Sequence, residues 1–139
     1  MDESSETASR ATVSAPDAPA AIGPYSHAVR VDLRWAGGLL FCSGQIPLDP
    51  ATGELVGASA GEQAERCLRN LQAVCAAAGA SLSGAVRLTI YMTDLERFEE
   101  VNEVYASFFE TDPPARVTVE VAGLPRGALV EIDAVVALD

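Results

Sequence analysis

Hydrophobic positions along this chain change their period several times, and each change predicts an element. Ser26 to Asp32 (Ser-His-Ala-Val-Arg-Val-Asp) and Leu39 to Gln45 (Leu-Leu-Phe-Cys-Ser-Gly-Gln) have the composition of strands, and the paired glycines within Leu33 to Gly38 mark a turn between them. Pro47 to Gly53 reads as a loop before the short apolar pair Leu55-Val56. From about Ala60 to Ala78 the period lengthens: Ala64, Cys67, Leu68, Leu71, Val74, Cys75 and Ala78 recur at three and four, which draws one apolar stripe along a helix that Gly79 can cap. Ala85 to Thr93 returns to alternation, with Val86, Leu88, Ile90 and Met92 set against Arg87, Thr89 and Tyr91, and is a strand. Thr93 followed by Glu96 has the form of a capping box. It opens a second helix that buries Phe98, Val101, Val104, Tyr105 and Phe108 and stops at Pro113 and Pro114.

Two strands complete the pattern. In Pro114 to Val121 the valines 117, 119 and 121 share one face, taken as the core face, while Arg116, Thr118 and Glu120 share the other. In Ala128 to Val135, Val130, Ile132 and Ala134 share a face and Glu131 lies opposite them with Leu129, Asp133 and Val135. Each helix has a single stripe to bury, so both pack on one face of a sheet, an α+β domain. The other face then needs water or a partner, and a second copy of the chain covering it would place Arg116, Thr118 and Glu131 in a polar pocket at a subunit junction. Met1 to about Pro19 is rich in Ser, Thr, Ala, Asp and Glu, with almost no large apolar residue, and is expected to be a flexible tail (1–19) ahead of a single domain (20–139).

Composition narrows the function. The chain has 139 residues, suited to one domain, and a formal net charge of -11 with nine Lys plus Arg scattered along it. Such a surface repels phosphates and anionic lipids, so no nucleic-acid or membrane partner is expected. Cys42, Cys67 and Cys75 lie in apolar runs without Cys-x-x-Cys spacing, as reduced buried thiols would, and the expected compartment is the cytoplasm. Met1 to Arg10 has acids and hydroxyls where a signal peptide needs cations and an apolar stretch, and no apolar run approaches the roughly 20 residues that span a bilayer.

The chemistry-bearing residues are few. Phosphate-cradling glycine loops and a Gly-x-Ser-x-Gly elbow are absent, which argues against hydride transfer and triad hydrolysis. His27 stands alone and reads either as an ordinary strand residue or as a base still lacking an orienting partner. Ser43-Gly44-Gln45 reads as small groups beside a ligand or as a bulge, and Tyr25, after Pro24, as a pocket hydroxyl or as packing at a strand entrance. The strongest pair is Arg116 with Glu131. A guanidinium grips a carboxylate through two parallel hydrogen bonds, and a nearby carboxylate moves protons on whatever is gripped. The same alternation also describes a solvated sheet face.

Ala21-Ile-Gly-Pro-Tyr-Ser26, Ser43-Gly-Gln-Ile-Pro-Leu-Asp-Pro50 with Thr52-Gly-Glu54, Val101-Asn-Glu-Val-Tyr105 with Phe108-Phe109, Pro114-Ala-Arg116, and Leu124-Pro125 through Val130-Glu-Ile132 occur in an order that resembles the reactive-intermediate deaminase family, also called Rid or YjgF-type. The resemblance spans roughly Ala20 to the C-terminus. It implies a chorismate-mutase-like fold with a mixed sheet and two helices on one face, assembled as a homotrimer with sites at the subunit interfaces. It also implies cofactor-free, metal-free hydrolysis of enamines and imines to 2-keto acids and ammonia. By motif position Arg116 matches the family's carboxylate-binding arginine, Glu131 its acid/base or water-positioning glutamate and Tyr25 its pocket tyrosine, all expected to be catalytic, while Ser43, Gly44 and Asn102 match residues near the substrate. Thr118 stands on the substrate side where archetypal members carry cysteine, so no thiol acts there. Two further readings remain: a non-catalytic module binding keto acids or other small carboxylates, and the endoribonuclease of the family's old label, against which the charge of -11 argues.

Overall fold

The computed structural model describes residues 8–33 and 37–139. Six strands form one sheet: β1 (Ala8–Val13), β2 (Ala28–Leu33), β3 (Gly37–Gln45), β4 (Ala85–Met92), β5 (Ala115–Glu120) and β6 (Val130–Leu138), in the order β1-β2-β3-β6-β4-β5. All neighbours are antiparallel except β4 and β5. A parallel pair needs a crossover, and helix α2 (Phe98–Phe108) supplies it. Helix α1 (Ala60–Ala77) packs beside α2 on the same sheet face. Leu68, Leu71 and Val74 of α1 and Val101 of α2 meet Leu40, Leu88, Ile90, Met92, Val130, Ile132 and Val136 of the strands in one buried core. The α+β fold read from the pattern, with the mixed sheet that the resemblance implies, is thus present. No helix among the described residues is long and apolar enough to cross a membrane.

Local chemistry explains the boundaries. The Ser59 hydroxyl accepts the Glu62 N–H at 3.1 Å to open α1. At its other end Gly79 takes φ 72° and Ala80 N–H returns to the Cys75 carbonyl at 2.8 Å, as a helix-ending glycine allows. The second helix starts differently from its expected capping box. Thr93 N–H is bound to the Leu129 carbonyl at 3.2 Å, which keeps Thr93 with the sheet, and the Asp94 carboxylate instead accepts the Glu96 N–H at 3.0 Å. A single 3-10 turn, Leu95–Arg97, follows before α2 begins. Cys42, Cys67 and Cys75 are free and buried, and burial pushes the Cys67 thiol well above its ordinary range, which suits packing rather than nucleophilic work.

Two expectations need correction. The segment up to Pro19 is not a tail throughout: Ala8–Val13 pairs along its length with β2 as the edge strand, and Val13, Ala15 and Ala18 join the core. Composition misses this because backbone pairing and three small side chains, rather than large apolar ones, recruit the segment. His27 secures it, accepting the Ala15 N–H on Nδ1 at 2.8 Å and donating from Nε2 to the Pro19 carbonyl at 2.6 Å. Both ring nitrogens are therefore engaged with backbone, and His27 is a structural residue. Residues 1–7, also assigned to the tail, and residues 34–36 of the expected turn lie outside the described residues.

The second correction concerns β5. Arg116 is level with Leu88 and Thr118 with Ile90, and those β4 residues are fully buried beneath the helices. Arg116 and Thr118 therefore point to the helix side, and the valines point away, with Val117 and Val119 still 39% and 37% exposed. Alternation separates two faces of a strand but does not say which one the helices cover.

Candidate active site

The expected site residues fall into two clusters on opposite faces of the sheet. The first lies on the face without helices. Here Ile22, Tyr25, Ser43, Gly44, Ile46, Pro125 and Glu131 line a cleft of about 250 Å3. Its floor is a bulge: pairing between β3 and β6 slips between Cys42 and Gln45, setting Ser43 and Gly44 out of register. The bulge is anchored, since Ser43 donates its N–H to the His27 carbonyl at 2.9 Å and its hydroxyl to the Ser26 carbonyl at 2.6 Å. Tyr25 forms the rim. Its hydroxyl oxygen accepts the Ile22 N–H at 3.2 Å, which leaves the phenolic proton for another acceptor.

Glu131 is the carboxylate of this cleft. It sits on β6 level with Tyr91, on the same face as Asp133, to which the Tyr91 hydroxyl donates at 3.1 Å. Burial raises its pKa above the ordinary glutamate value, and the neighbouring Asp133 charge raises it further. Such a carboxyl holds its proton more readily than a solvated one and gives it up nearer neutral pH, as proton-transfer chemistry prefers.

The second cluster surrounds Arg116. Phe98, Asn102 and Tyr105 recur at four and three residues along α2 and so share a helix face. The Arg116 guanidinium lies over the Tyr105 ring at 4.8 Å and the Phe98 ring at 5.3 Å, and it donates from Nη1 to the Asn102 carbonyl oxygen at 2.7 Å. Its polar partner is thus a neutral amide. The only ion pair among the described residues joins Arg30 to Asp32 at 2.9 Å, so the Arg116 charge is left uncompensated. Buried close by are two hydroxyls with no partner, those of Tyr105 and Thr118. Burial raises the Tyr105 phenol, and Arg116 draws it partly back.

Tyr25, Ser43, Gly44 and Glu131 are brought together, as are Arg116 and Asn102 with Thr118 on the same strand face, but the two groups do not meet within one chain. Arg116 is level with Ala134 of β6, three residues along from Glu131, and β4 lies between the two strands. That amounts to about 10 Å along the strands and about 10 Å across them, on opposite faces. Tyr105, Phe98 and Asp133 were not singled out for the site from the sequence. Phe98 and Tyr105 read as core from their helical spacing, while Asn102 was matched to the site, and only the packing of α2 against β5 turns all three toward Arg116.

A six-stranded mixed sheet with two helices on one face and a partly desolvated carboxylate in a cleft on the other is the architecture of a recognisable class. The model of the Endoribonuclease L-PSP family matches residues 15–138, and the chain belongs to that family, which comprises the YjgF, RutC and Rid proteins. The chain is 55% identical over 126 residues to the RutC family protein y4sK of Sinorhizobium fredii, covering 91% of this chain and 96% of that protein. It is 43% identical over 126 residues to the 2-iminobutanoate/2-iminopropanoate deaminase of Mus musculus, covering 91% and 90%. Among solved structures, that of Escherichia coli TdcF with bound serine superposes with a TM-score of 0.83 at 36% identity, covering 93% of this chain and 99% of that one. Membership of the family expected from the motifs is therefore established.

Proposed function

We propose that this protein hydrolyses reactive 2-imino acids, and the enamines in equilibrium with them, to 2-keto acids and ammonia at sites shared between copies of the chain. The observation that carries the reading is the state of Arg116: a guanidinium fixed by two rings and an amide, with its charge uncompensated, is prepared for an incoming carboxylate. The deaminase name of the mouse relative and the serine bound to TdcF agree with a small ligand bearing an α-carboxylate.

In a 2-imino acid the carboxylate carbon is bonded directly to the C=N carbon, so the group that grips one and the group that serves the other must stand a few ångströms apart. Arg116 and Glu131 of one chain do not. A second copy, laid so that the β5 edge of one protomer closes the cleft of another, supplies the missing half, and repeating this head-to-tail contact around a ring gives the trimer expected from the family. The exposed Phe41, Val86, Val117 and Val119 are suited to burial in such an assembly.

Within the completed site the steps balance simply. Arg116 holds the substrate carboxylate. Glu131 as carboxylate takes a proton from water while the oxygen bonds to C2, giving a carbinolamine. Glu131 returns that proton to nitrogen to complete the carbinolamine, and the C2 hydroxyl then gives its proton through Glu131 to the amino group as the C–N bond breaks, so that ammonia leaves and the ketone forms. Tyr25, with a free phenolic proton, and Ser43 line the cleft where these charges develop. Acid/base help of about 10²–10⁴-fold is sufficient for a reaction that already proceeds in water.

The test is ammonia release from an imino acid generated freshly by an amino-acid oxidase. Wild type accelerates release above the spontaneous rate and Arg116→Ala does not; equal rates for the two remove Arg116 from the mechanism. Saturable keto-acid binding without any acceleration would instead favour a non-catalytic binding module. The endoribonuclease reading finds no support in a chain of net charge -11 with scattered basic residues.

A further inference from the structure

We infer that Gly44 is a positioning residue whose missing side chain is the seat of the Glu131 carboxylate. Glycines serve either unusual backbone angles or close approach, and the two are separable here. Gly44 is not among the glycines with positive φ, so its backbone would accept any residue. Space is the other reason. A Cβ on Gly44 would stand 2.3 Å from Oε2, 3.0 Å from Cδ and 3.2 Å from Cγ of Glu131, so the carboxylate occupies the volume that an alanine methyl would take.

Neither side can yield without consequence. The bulge is held on its flank by the two hydrogen bonds from Ser43 to His27 and Ser26, so the backbone at residue 44 does not drift away. Glu131 is itself a β6 residue whose neighbours Val130 and Ile132 are fully buried, which fixes its Cα. What remains free is the end of the Glu131 side chain, and an added methyl would swing the carboxylate out of the cleft. Gly44 thereby does more than line the cleft: the β3 bulge sets where the proton-transferring oxygen stands.

The assignment rests on the deaminase reading for its kinetic consequences, but not for its geometry. Gly44→Ala is expected to lower kcat by about 10²-fold, as misplacement of a reacting group by an ångström can, while KM changes little because Arg116 holds the carboxylate elsewhere. Glu131→Asp draws its carboxylate back by one methylene. In that background Gly44→Ala should cost several-fold less than in wild type, since the closest contact, that with Oε2, is removed and only those at the Cγ and Cδ positions remain. Gly123→Ala is the control, because that glycine has open space around its Cβ position and no positive φ. Crystals of Gly44→Ala should show the Glu131 carboxylate displaced from the bulge with the fold intact. Equal losses in both backgrounds, or a carboxylate unmoved in the variant's crystals, overturn the assignment. Should wild type fail to hydrolyse the imine, the deaminase reading falls, and the crystallographic position still decides the seat.

Discussion

The Glu131 cleft and the Arg116 cluster hold opposite charges by opposite means. Glu131 sits against a bulge, half-buried beside a second carboxylate, and both burial and Asp133 make its ionised form costly. Arg116 lies on the surface of α2, spread over two aromatic rings and bound to a neutral amide. The carboxylate is thus kept reluctant to ionise and ready to exchange a proton, while the guanidinium has no counter-ion among the described residues. In the proposed function one region transfers a proton and the other holds the substrate, and a single chain places them on opposite sides of its sheet.

The sharpest way to break this comparison is to damage the two regions in different chains. Glu131→Gln should lower kcat by about 10²–10⁴-fold and Arg116→Ala should lower kcat/KM by about 10²-fold. Assembling the two inactive variants together should then restore roughly a quarter of the sites, since each junction draws one residue from each of two randomly mixed copies. No recovery in the ammonia assay after co-expression would mean that the two residues act within one chain or not together.

A smaller effect tests the neutrality of the Arg116 partner. Asn102→Asp gives the guanidinium a resident carboxylate that competes with substrate, so KM should rise about fivefold with kcat little changed, and added salt should shrink the difference. Kinetics at two ionic strengths check both points.

Asp133→Asn addresses the other region. With Glu131 acting as a base, activity falls as pH drops through its raised pKa, and removing the Asp133 charge should move that acid limb of kcat/KM to lower pH. The stability effect has its own sign. Because the folded pKa exceeds the unfolded one, the folded state binds this proton more tightly, and Glu131 contributes stability below the unfolded pKa that is lost as pH rises through the folded value. Asp133→Asn should reduce that loss in thermal unfolding followed across the same pH window.

The smallest change is expected from Tyr105→Phe. The hydroxyl is buried without a partner, and such a group costs about 1–3 kcal/mol, so its removal should leave Tm unchanged or raised. The ring that supports Arg116 remains, and kcat/KM should stay close to wild type. A marked loss of activity would show that the hydroxyl itself acts on substrate.

Much of this molecule was legible in the order of its residues. The stripe from Ala64 to Ala78 could only be a helix, and the alternation around Leu88, Ile90 and Met92 only a strand, because each period matches one backbone geometry. Gly79 announced the end of α1, and the motif residues Tyr25, Ser43, Gly44 and Glu131 do share a cleft. Edges were harder. β1 is recruited by backbone hydrogen bonds that leave no hydrophobic signature, and β5, at the far edge of the sheet, turns its valines away from the helices because Arg116 and Thr118 take the α2 side. By itself, then, the sequence determined the elements from β2 onward, the family and the residues proposed to carry chemistry, since these depend on residue type and local spacing. Only the tertiary structure decided which face each strand shows, that Glu131 rests where Gly44 has no side chain, and that Arg116 lies across the sheet from it. Those relations join residues far apart in the chain, and packing alone sets them.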